Sequence, residues 1–356
     1  MNNPNLRVLH LRSSGGFYGA EAVLASYFAS LQNSRADMEL LLLTGMKEHP
    51  LRHRIHAPVR IIEAPGGFSF AVFQAVKAHL EQGRYDILHT HDYKSDLFGF
   101  LLRKKVNWVS TVHGWTSSDA KVRLYEKLNR LVLPSAHGVA AVSLELFDQL
   151  GQMGVKQGRA VYLPNAIDCD AFAPADRRES QGRCRIATVA RLSSEKAIAV
   201  LIEAVAALPE TVHLSIIGDG PLRQPLQQLA AELAIDNRID FLGVRNDIPA
   251  LLAQTDLFVL PSLREGTPMA LLEAMAAGCA PVASAVGNIP HIIQEGVNGL
   301  LIAPGDVTSL IAALSKLVTN QAWRSSLGEA AKTFVRQHYS LPRLGEQLFA
   351  FYSNLN

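Results

Sequence analysis

Short apolar runs alternate with amphipathic ones along the whole chain. In the first half LRVLHL is followed by AEAVLASYFASLQ, then MELLLLT, VRIIEA, FAVFQAVKAHLEQ, YDILHTH, SDLFGFLLR, WVSTVH and GVAAVS. The second half repeats the rhythm with CRIATVA, AIAVLIEAVAAL, VHLSIIG, PLRQPLQQLAAELA, RIDFLG, DIPALLAQT, LFVLPS, PMALLEAMAAG, APVASA and GLLIA. The near-continuous apolar runs are too short for helices and read as strands buried on both faces. The longer runs, apolar at helical spacing, read as the covering helices. Strand and helix in alternation predict an α/β protein with parallel sheets. Two such series predict two Rossmann-like, doubly wound domains with a cleft between them. The join falls in VYLPNAIDCDAFAPADRRESQGR, where Pro164, Pro174 and a polar run break the pattern, so boundaries of 1–168 and 169–337 are expected.

Length agrees, because 356 residues exceed the roughly 250–300 at which one core stops growing. A composition of 48% apolar and 19% charged residues is that of an ordinary globular protein. No apolar run approaches the ~20 residues of a membrane span, and the first residues lack a signal-peptide layout, so a cytoplasmic protein is expected. Cys169, Cys184 and Cys279 are scattered without metal-ligand spacing, as suits a reducing compartment.

The net charge of +2 conceals a split: residues 1–170 hold 19 basic against 15 acidic side chains, and the remainder 15 against 17. Part of the first excess lies in RKK at 103–105 and in KVRLYEKLNRLVL from Lys121. The latter places Val122, Leu124, Tyr125, Leu128, Leu131 and Val132 between basic residues at helical spacing. It reads either as a solvated helix packed by one face on its own domain, or as a surface meeting anionic lipid or an acceptor attached to one. The chain has none of the long basic tracts or base-stacking patterns of a nucleic-acid binder.

Ligands of doubly wound sheets bind outside the carboxyl ends of the strands, which directs attention to three turns. After the first strand, RSSGGFYGAEA offers Gly15, Gly16 and Gly19, which allow close approach of a ligand, and a helix start near Ala20. These glycines lack G-x-G-x-x-G spacing, and no acidic residue ends the next strand, so a dinucleotide fingerprint is excluded. In IATVARLSSEKA a strand is expected to end at Arg191, with Lys196 at the start of the next helix. Two such cations can grip a diphosphate, arginine as a fork and lysine as a point charge. In REGTPMALLEAMAAG, Glu265 lies in a turn and Glu273 inside a helix, with Pro268 expected at the first helical position after a Thr267 cap. The amides near Met269 and Ala270 form an anion site between the carboxylates. Carboxylates for hydroxyls, together with amides and cations for phosphates, are what a sugar nucleotide requires.

Taken in order, GGFYGAE, TVHGW, LPNAIDCDAF, VARLSSEKA, IIGDGP, FLGVRNDIPALL and LREGTPMALLEAMAAGCAPVAS resemble glycosyltransferase family four, retaining sugar-nucleotide transferases of GT-B architecture. The resemblance covers nearly the whole chain, and HYSLPRLGEQLFAFYSNL is similar to the family's closing helix, here 338–356, which braces the first domain. It implies that Arg191 and Lys196 hold the diphosphate and stabilise its departure, and that Glu273 binds the ribose. It implies also that Glu265 approaches the transferred sugar, and that the donor-binding segment Thr267, Pro268, Met269 and Ala270 caps the β-phosphate and sugar hydroxyls through the amides it carries at 267, 269 and 270. His113 matches a histidine near the reaction centre, and Val244 the backbone that meets the base. Asn165 and Asp168 are matched to the joint. The implied reaction keeps the anomeric configuration, with the leaving phosphate taking the acceptor proton, so no enzymic nucleophile is needed. Two departures stand out. Phe17 and Tyr18 lengthen the glycine turn, and Ala197 follows Lys196 where the family usually has glycine.

His89 and His91 in ILHTHD are spaced like zinc ligands but have no evident third partner, and Asp168 and Asp170 in IDCD read as turn chemistry rather than a metal site. GT-B transferases need no bound metal, so neither metal nor cofactor is expected. The expected partners are a nucleotide-sugar donor, with UDP favoured by its frequency in the family, and a glycan or lipid-linked glycan acceptor of the cell surface. A UDP-sugar epimerase of the same architecture and a non-catalytic sugar-nucleotide-binding protein are the alternatives. The cation pair and the spacing of the glutamates favour transfer.

Overall fold

A computed structural model of the chain describes residues 6–16, 19–32, 34, 36–64, 69–114, 120–172 and 183–355. It divides into two compact units, Met1–Ala166 with Leu341–Asn356, and Ile167–Ser340. In chain order the first series is β1 (Leu6–Ser13), α1 (Gly19–Ser30), β2 (Ala36–Thr44), β3 (Val59–Glu63), α2 (Phe70–Gly83), β4 (Ile87–Thr90), α3 (Tyr93–Leu102), β5 (Asn107–Val112), α4 (Ala120–Val132), β6 (Gly138–Ala141), α5 (Leu144–Gln152) and β7 (Ala160–Tyr162). The second is β8 (Cys184–Val189), α6 (Ile198–Ala206), β9 (Val212–Ile217), α7 (Arg223–Glu232), β10 (Ile239–Gly243), α8 (Ile248–Ala253), β11 (Leu257–Leu260), α9 (Met269–Ala276), β12 (Ala280–Ser284), α10 (Ile289–Ile292), β13 (Leu300–Ile302), α11 (Val307–Thr319) and α12 (Gln321–His338). The last helix, α13 (Leu341–Ser353), belongs to the first unit.

The sheet orders are β3-β2-β1-β4-β5-β6-β7 and β10-β9-β8-β11-β12-β13, with every strand pair parallel. Each order reverses direction once, between β1 and β4 in the first sheet and between β8 and β11 in the second. Those reversals are the switch points at which doubly wound sheets open a crevice.

Apolar residues alternate across both faces of each sheet, which is why the strands read as unbroken hydrophobic runs. In the first unit Val8, Leu40, Leu42 and Ile87 face one core, with Leu24, Tyr27 and Phe28 of α1 and Leu348 and Tyr352 of α13. Their neighbours Leu9, Leu41, Leu43 and Leu88 face another, with Val76 and Leu80 of α2 and Phe98 of α3. In the second unit Ile186, Leu214, Ile216 and Val259 pack under α6, α7 and α11, while Phe258, Leu260 and Ala283 pack under α9 and α12. The contact of α1 with α13 is close enough that a side chain at Gly345 would strike the Ser30 carbonyl. Among the described residues, no helix is long and apolar enough to cross a membrane.

Candidate active site

In the second unit the chain leaves β8 at Val189, two residues before Arg191, and enters a 3-10 turn, Ser194–Lys196, ahead of α6. Lys196 therefore precedes the helix rather than starting it. The loop is held by the turn after β9: Ala190 N donates to Ile217 O at 2.9 Å, Leu192 N to Asp219 O at 3.0 Å and Leu222 N to Leu192 O at 3.0 Å. This contact explains IIGDGP. Gly218 has φ +128°, and a Cβ there would lie 1.9 Å from the Ala190 carbonyl oxygen. Ala197 takes the left-handed conformation at φ 48°, the backbone state that accounts for glycine being usual at that position.

The Lys196 ammonium meets Glu265 Oε1 at 2.7 Å, and the Ser262 hydroxyl donates to the same oxygen at 2.7 Å. The carboxylate side chain is only 8% exposed and the lysine 22%, so the pair is shielded from water yet open on the lysine side. Leu263 N donates to Glu195 O at 2.8 Å, which ties the loop after β11 to the loop after β8. Two segments 69 residues apart thus present one cation and one carboxylate as a fixed pair. Arg191 is exposed at the start of the same loop, without an ion pair among the described residues.

The expected cap of α9 is corrected. Pro268 is itself the N-cap, with extended backbone at φ −73° and ψ 115°, and no side chain caps the helix. The Thr267 hydroxyl is engaged instead by Asn288 Nδ2 at 3.1 Å. The amides of Met269 and Ala270 carry no hydrogen bond among the described residues, since the first helical bonds are those of Leu271 and Leu272 to Pro268 O. They sit at the positive end of α9. One turn further on, Glu273 is half-buried, and burial raises its pKa. Its carboxylate has no partner among the described residues, an unusual state for a shielded charge. Val244, 78% exposed, follows Gly243, whose carbonyl accepts from Gly218 N at 2.8 Å.

Gly15, Gly16, Gly19 and His113 all lie in the first unit, and Arg191, Lys196, Val244, Glu265 and residues 267–273 in the second. The glycine turn is bound at its ends. Ser14 Oγ lies 2.8 Å from both Gly16 O and Glu21 Oε1, which share its single proton, and Arg12 closes on Glu21 Oε1 at 2.8 Å. Phe17 and Tyr18 lie outside the described residues. Space within 4 Å of a side chain at Gly15 or Gly19 is open. His113 lines a pocket of about 350 Å³ beside the carboxyl ends of β1, β4 and β5, with Arg12, His91, Asp92, Asp96 and Asn129. Its Nε2 is buried without a hydrogen bond, and burial, aided by the Arg12 charge, lowers its pKa to about 3. His113 is therefore a neutral ring. Asp96 accepts from Thr90 and Asn129, and burial raises its pKa to about 7. Sequence reasoning missed Arg12, Glu21, Asp96 and Asn129. Only Asp96 gave a signal, as an acid in the apolar SDLFGFLL.

The expectation that His89 and His91 lack a third partner is also corrected. His10 joins them, and ligand atoms of the three lie within 4.8 Å of one another. His10 Nδ1 meets His91 Nε2 at 2.9 Å, while His89 meets the Tyr352 hydroxyl at 2.6 Å and Thr111 Oγ1 at 2.7 Å. The His89 and His91 rings stack at 4.3 Å. A metal at this place would have to displace one of the two hydrogen bonds of His89. Asp168 of IDCD accepts from the amides of Asp170 and Ala171 at 3.1 and 3.4 Å, and Asp170 pairs with Arg336 at 2.8 Å, which is turn chemistry.

Two family models match the chain: Glycosyltransferase Family 4 over residues 18–171 and Glycosyl transferases group 1 over residues 172–334. The chain is 25% identical, over 89% of each sequence, to the UDP-Gal:alpha-D-GlcNAc-diphosphoundecaprenol alpha-1,3-galactosyltransferase of Escherichia coli. It is 27% identical to the N-acetyl-alpha-D-glucosaminyl L-malate synthase of Bacillus anthracis, over 75% of this chain and 74% of that one. In fold it matches the crystal structure of Anabaena HepE in complex with UDP with a TM-score of 0.83, at 21% identity, over 98% of this chain and all of that one. The two parallel Rossmann-like sheets are those of the GT-B fold, and the chain belongs to glycosyltransferase family four.

Proposed function

We propose that the chain is a retaining, metal-independent hexosyltransferase that takes its sugar from a UDP-sugar and adds it to a growing cell-surface glycan, lipid-linked or lipopolysaccharide. The observation that carries the reading is Glu273, a shielded carboxylate with no partner among the described residues, one turn behind two helix amides that are likewise unbonded there. A ribose supplies the missing hydroxyl donors, and a β-phosphate the missing acceptor for Met269 and Ala270. Arg191 and Lys196 neutralise the diphosphate as the glycosidic bond breaks, and such preorganised charge is worth most where little water enters.

Glu265 takes the sugar hydroxyls through Oε2, since Oε1 is held by Lys196 and Ser262. The leaving phosphate oxygen accepts the proton of the attacking acceptor hydroxyl, so neither Glu265 nor His113 acts as nucleophile. His113 and the turn Gly15, Gly16 and Gly19 are assigned to sugar and phosphate contacts on the family resemblance. The base is assigned to the backbone around Val244. Support for UDP comes from the Escherichia coli relative, named for UDP-Gal, and from the UDP complex of HepE.

A thermal-shift panel of UDP, GDP, ADP and their sugar conjugates tests the donor, and the anomeric coupling of the transferred sugar in a proton NMR spectrum tests retention. Stabilisation by UDP and UDP-sugars, with an α-linked product from an α-linked donor, is expected. Stabilisation by none of the panel, or a β-linked product, would overturn the reading.

A further inference from the structure

Helix α4 is inverted relative to the solvated, one-face-packed helix that its sequence permits. Of its described residues, the two fully buried ones are polar: Glu126 is 6% exposed and Asn129 3%, and Asn129 donates to Asp96 in the pocket beneath, while Tyr125 and Val132 are partly buried. Its outward positions are leucines, with Leu124 59%, Leu128 39% and Leu131 77% exposed. Spacing of four and then three residues puts the three on a single stripe. Arg123, Lys127 and Arg130, all exposed, recur at the same spacing along one flank of that stripe. Neither Arg123 nor Lys127 has a salt-bridge partner among the described residues, and Glu126, the one acid of the helix, is buried. Neighbouring α3 has Leu101, 50% exposed, as its penultimate residue, with exposed Lys104 just beyond. The stacked rings of Tyr93 and Tyr125, 5.6 Å apart, hold the two helices together.

We propose that this face docks the chain onto a bilayer that contains anionic lipid. A leucine stripe edged by cations is the arrangement of a helix that lies in the headgroup boundary, its apolar side chains entering the acyl region and its basic ones meeting lipid phosphates. Among the described residues the outward face of α4 carries cations and no acid, a charge complementary to an anionic surface. The proposal rests on the transferase reading only in giving a lipid-linked acceptor a reason to be met there. Asn129, on the inner side of α4, lines the same pocket as Asp96 and His113.

The test is co-sedimentation of the full chain with vesicles of phosphatidylcholine, with and without phosphatidylglycerol, beside a UDP thermal shift on every sample. The wild type should sediment with the anionic vesicles and not with the neutral ones. Arg123→Glu with Lys127→Glu should cut partitioning by about 25-fold or more, each basic residue near the surface being worth about fivefold. Leu124→Ser, Leu128→Ser and Leu131→Ser together should cut it at least about tenfold. Both variants should keep the UDP shift and melting temperature of the wild type, because the altered side chains are exposed. Sedimentation of the triple variant like the wild type, or no sedimentation of the wild type with either vesicle, would overturn the proposal. A lipid-free dimer that the triple variant dissolves would also overturn it, by assigning the face to a second copy. Loss of the UDP shift in the wild type with vesicle binding intact would count against the transferase reading and leave docking standing.

Discussion

Lys196 Nζ lies 2.7 Å from Glu265 Oε1, so the cation assigned to the diphosphate and the carboxylate assigned to the sugar hold each other. Ser262 shares the oxygen and leaves Oε2 open. Glu265→Gln should then preserve the fold but slow turnover about 100-fold, the order found when one preorganised polar group is removed, with a smaller change in donor affinity. Steady-state kinetics against donor concentration read the two effects apart.

Glu273 combines shielding with the lack of a partner, so the free protein bears a cost that a bound hydroxyl relieves. Its folded pKa is raised by burial, so the ionised form is disfavoured in the folded state and its cost is present above that pKa. Glu273→Leu should therefore raise the melting temperature at pH 7 while weakening donor binding by tenfold or more, about 1.4 kcal/mol. Differential scanning calorimetry with and without donor measures both.

Ala197 at φ 48° stores strain in the loop that carries Lys196. Left-handed backbone costs an L-residue about 1–2 kcal/mol, part of which glycine returns through its freer unfolded state. Ala197→Gly should stabilise the protein by up to about 1 kcal/mol, and Ala197→Val should destabilise it by more, as read by urea denaturation.

Acid should act first on the first unit. Burial drives the pKa of His10 and His113 down to about 3 and those of His89 and His91 well below the usual value. Each is neutral when folded and would bind a proton when unfolded. Their contribution is full above about pH 6.5 and is lost progressively as pH falls toward 3. Asp96, raised to about 7, opposes this, because it binds its proton more readily when folded, but it is one group against four. Tryptophan fluorescence of buried Trp108 should report loss of the first unit in that window, and His89→Gln should narrow the loss.

Much of the fold was legible because both faces of each sheet are buried, so strands such as β6 and β11 read as unbroken apolar runs. Periodicity in α4 showed which side chains share a face but not which face turns inward. That choice was made by Asp96, 33 residues away, which takes Asn129. The cap of α9 was misread for a similar reason, since the Thr267 hydroxyl goes to Asn288, 21 residues on. His10 joined His89 and His91 through the pairing of β1 with β4, a register that no local pattern carries. Lys196 and Glu265 could be named from their turns, but their contact required the adjacency of β8 and β11.

The most direct test of the account is calorimetric titration of UDP into the wild type, Lys196→Ala and Glu273→Ala, all shown to be folded by circular dichroism. The account predicts saturable binding by the wild type and a loss of roughly 10- to 100-fold in each variant, the value of a charge-assisted hydrogen bond. Equal affinity in all three proteins would contradict it.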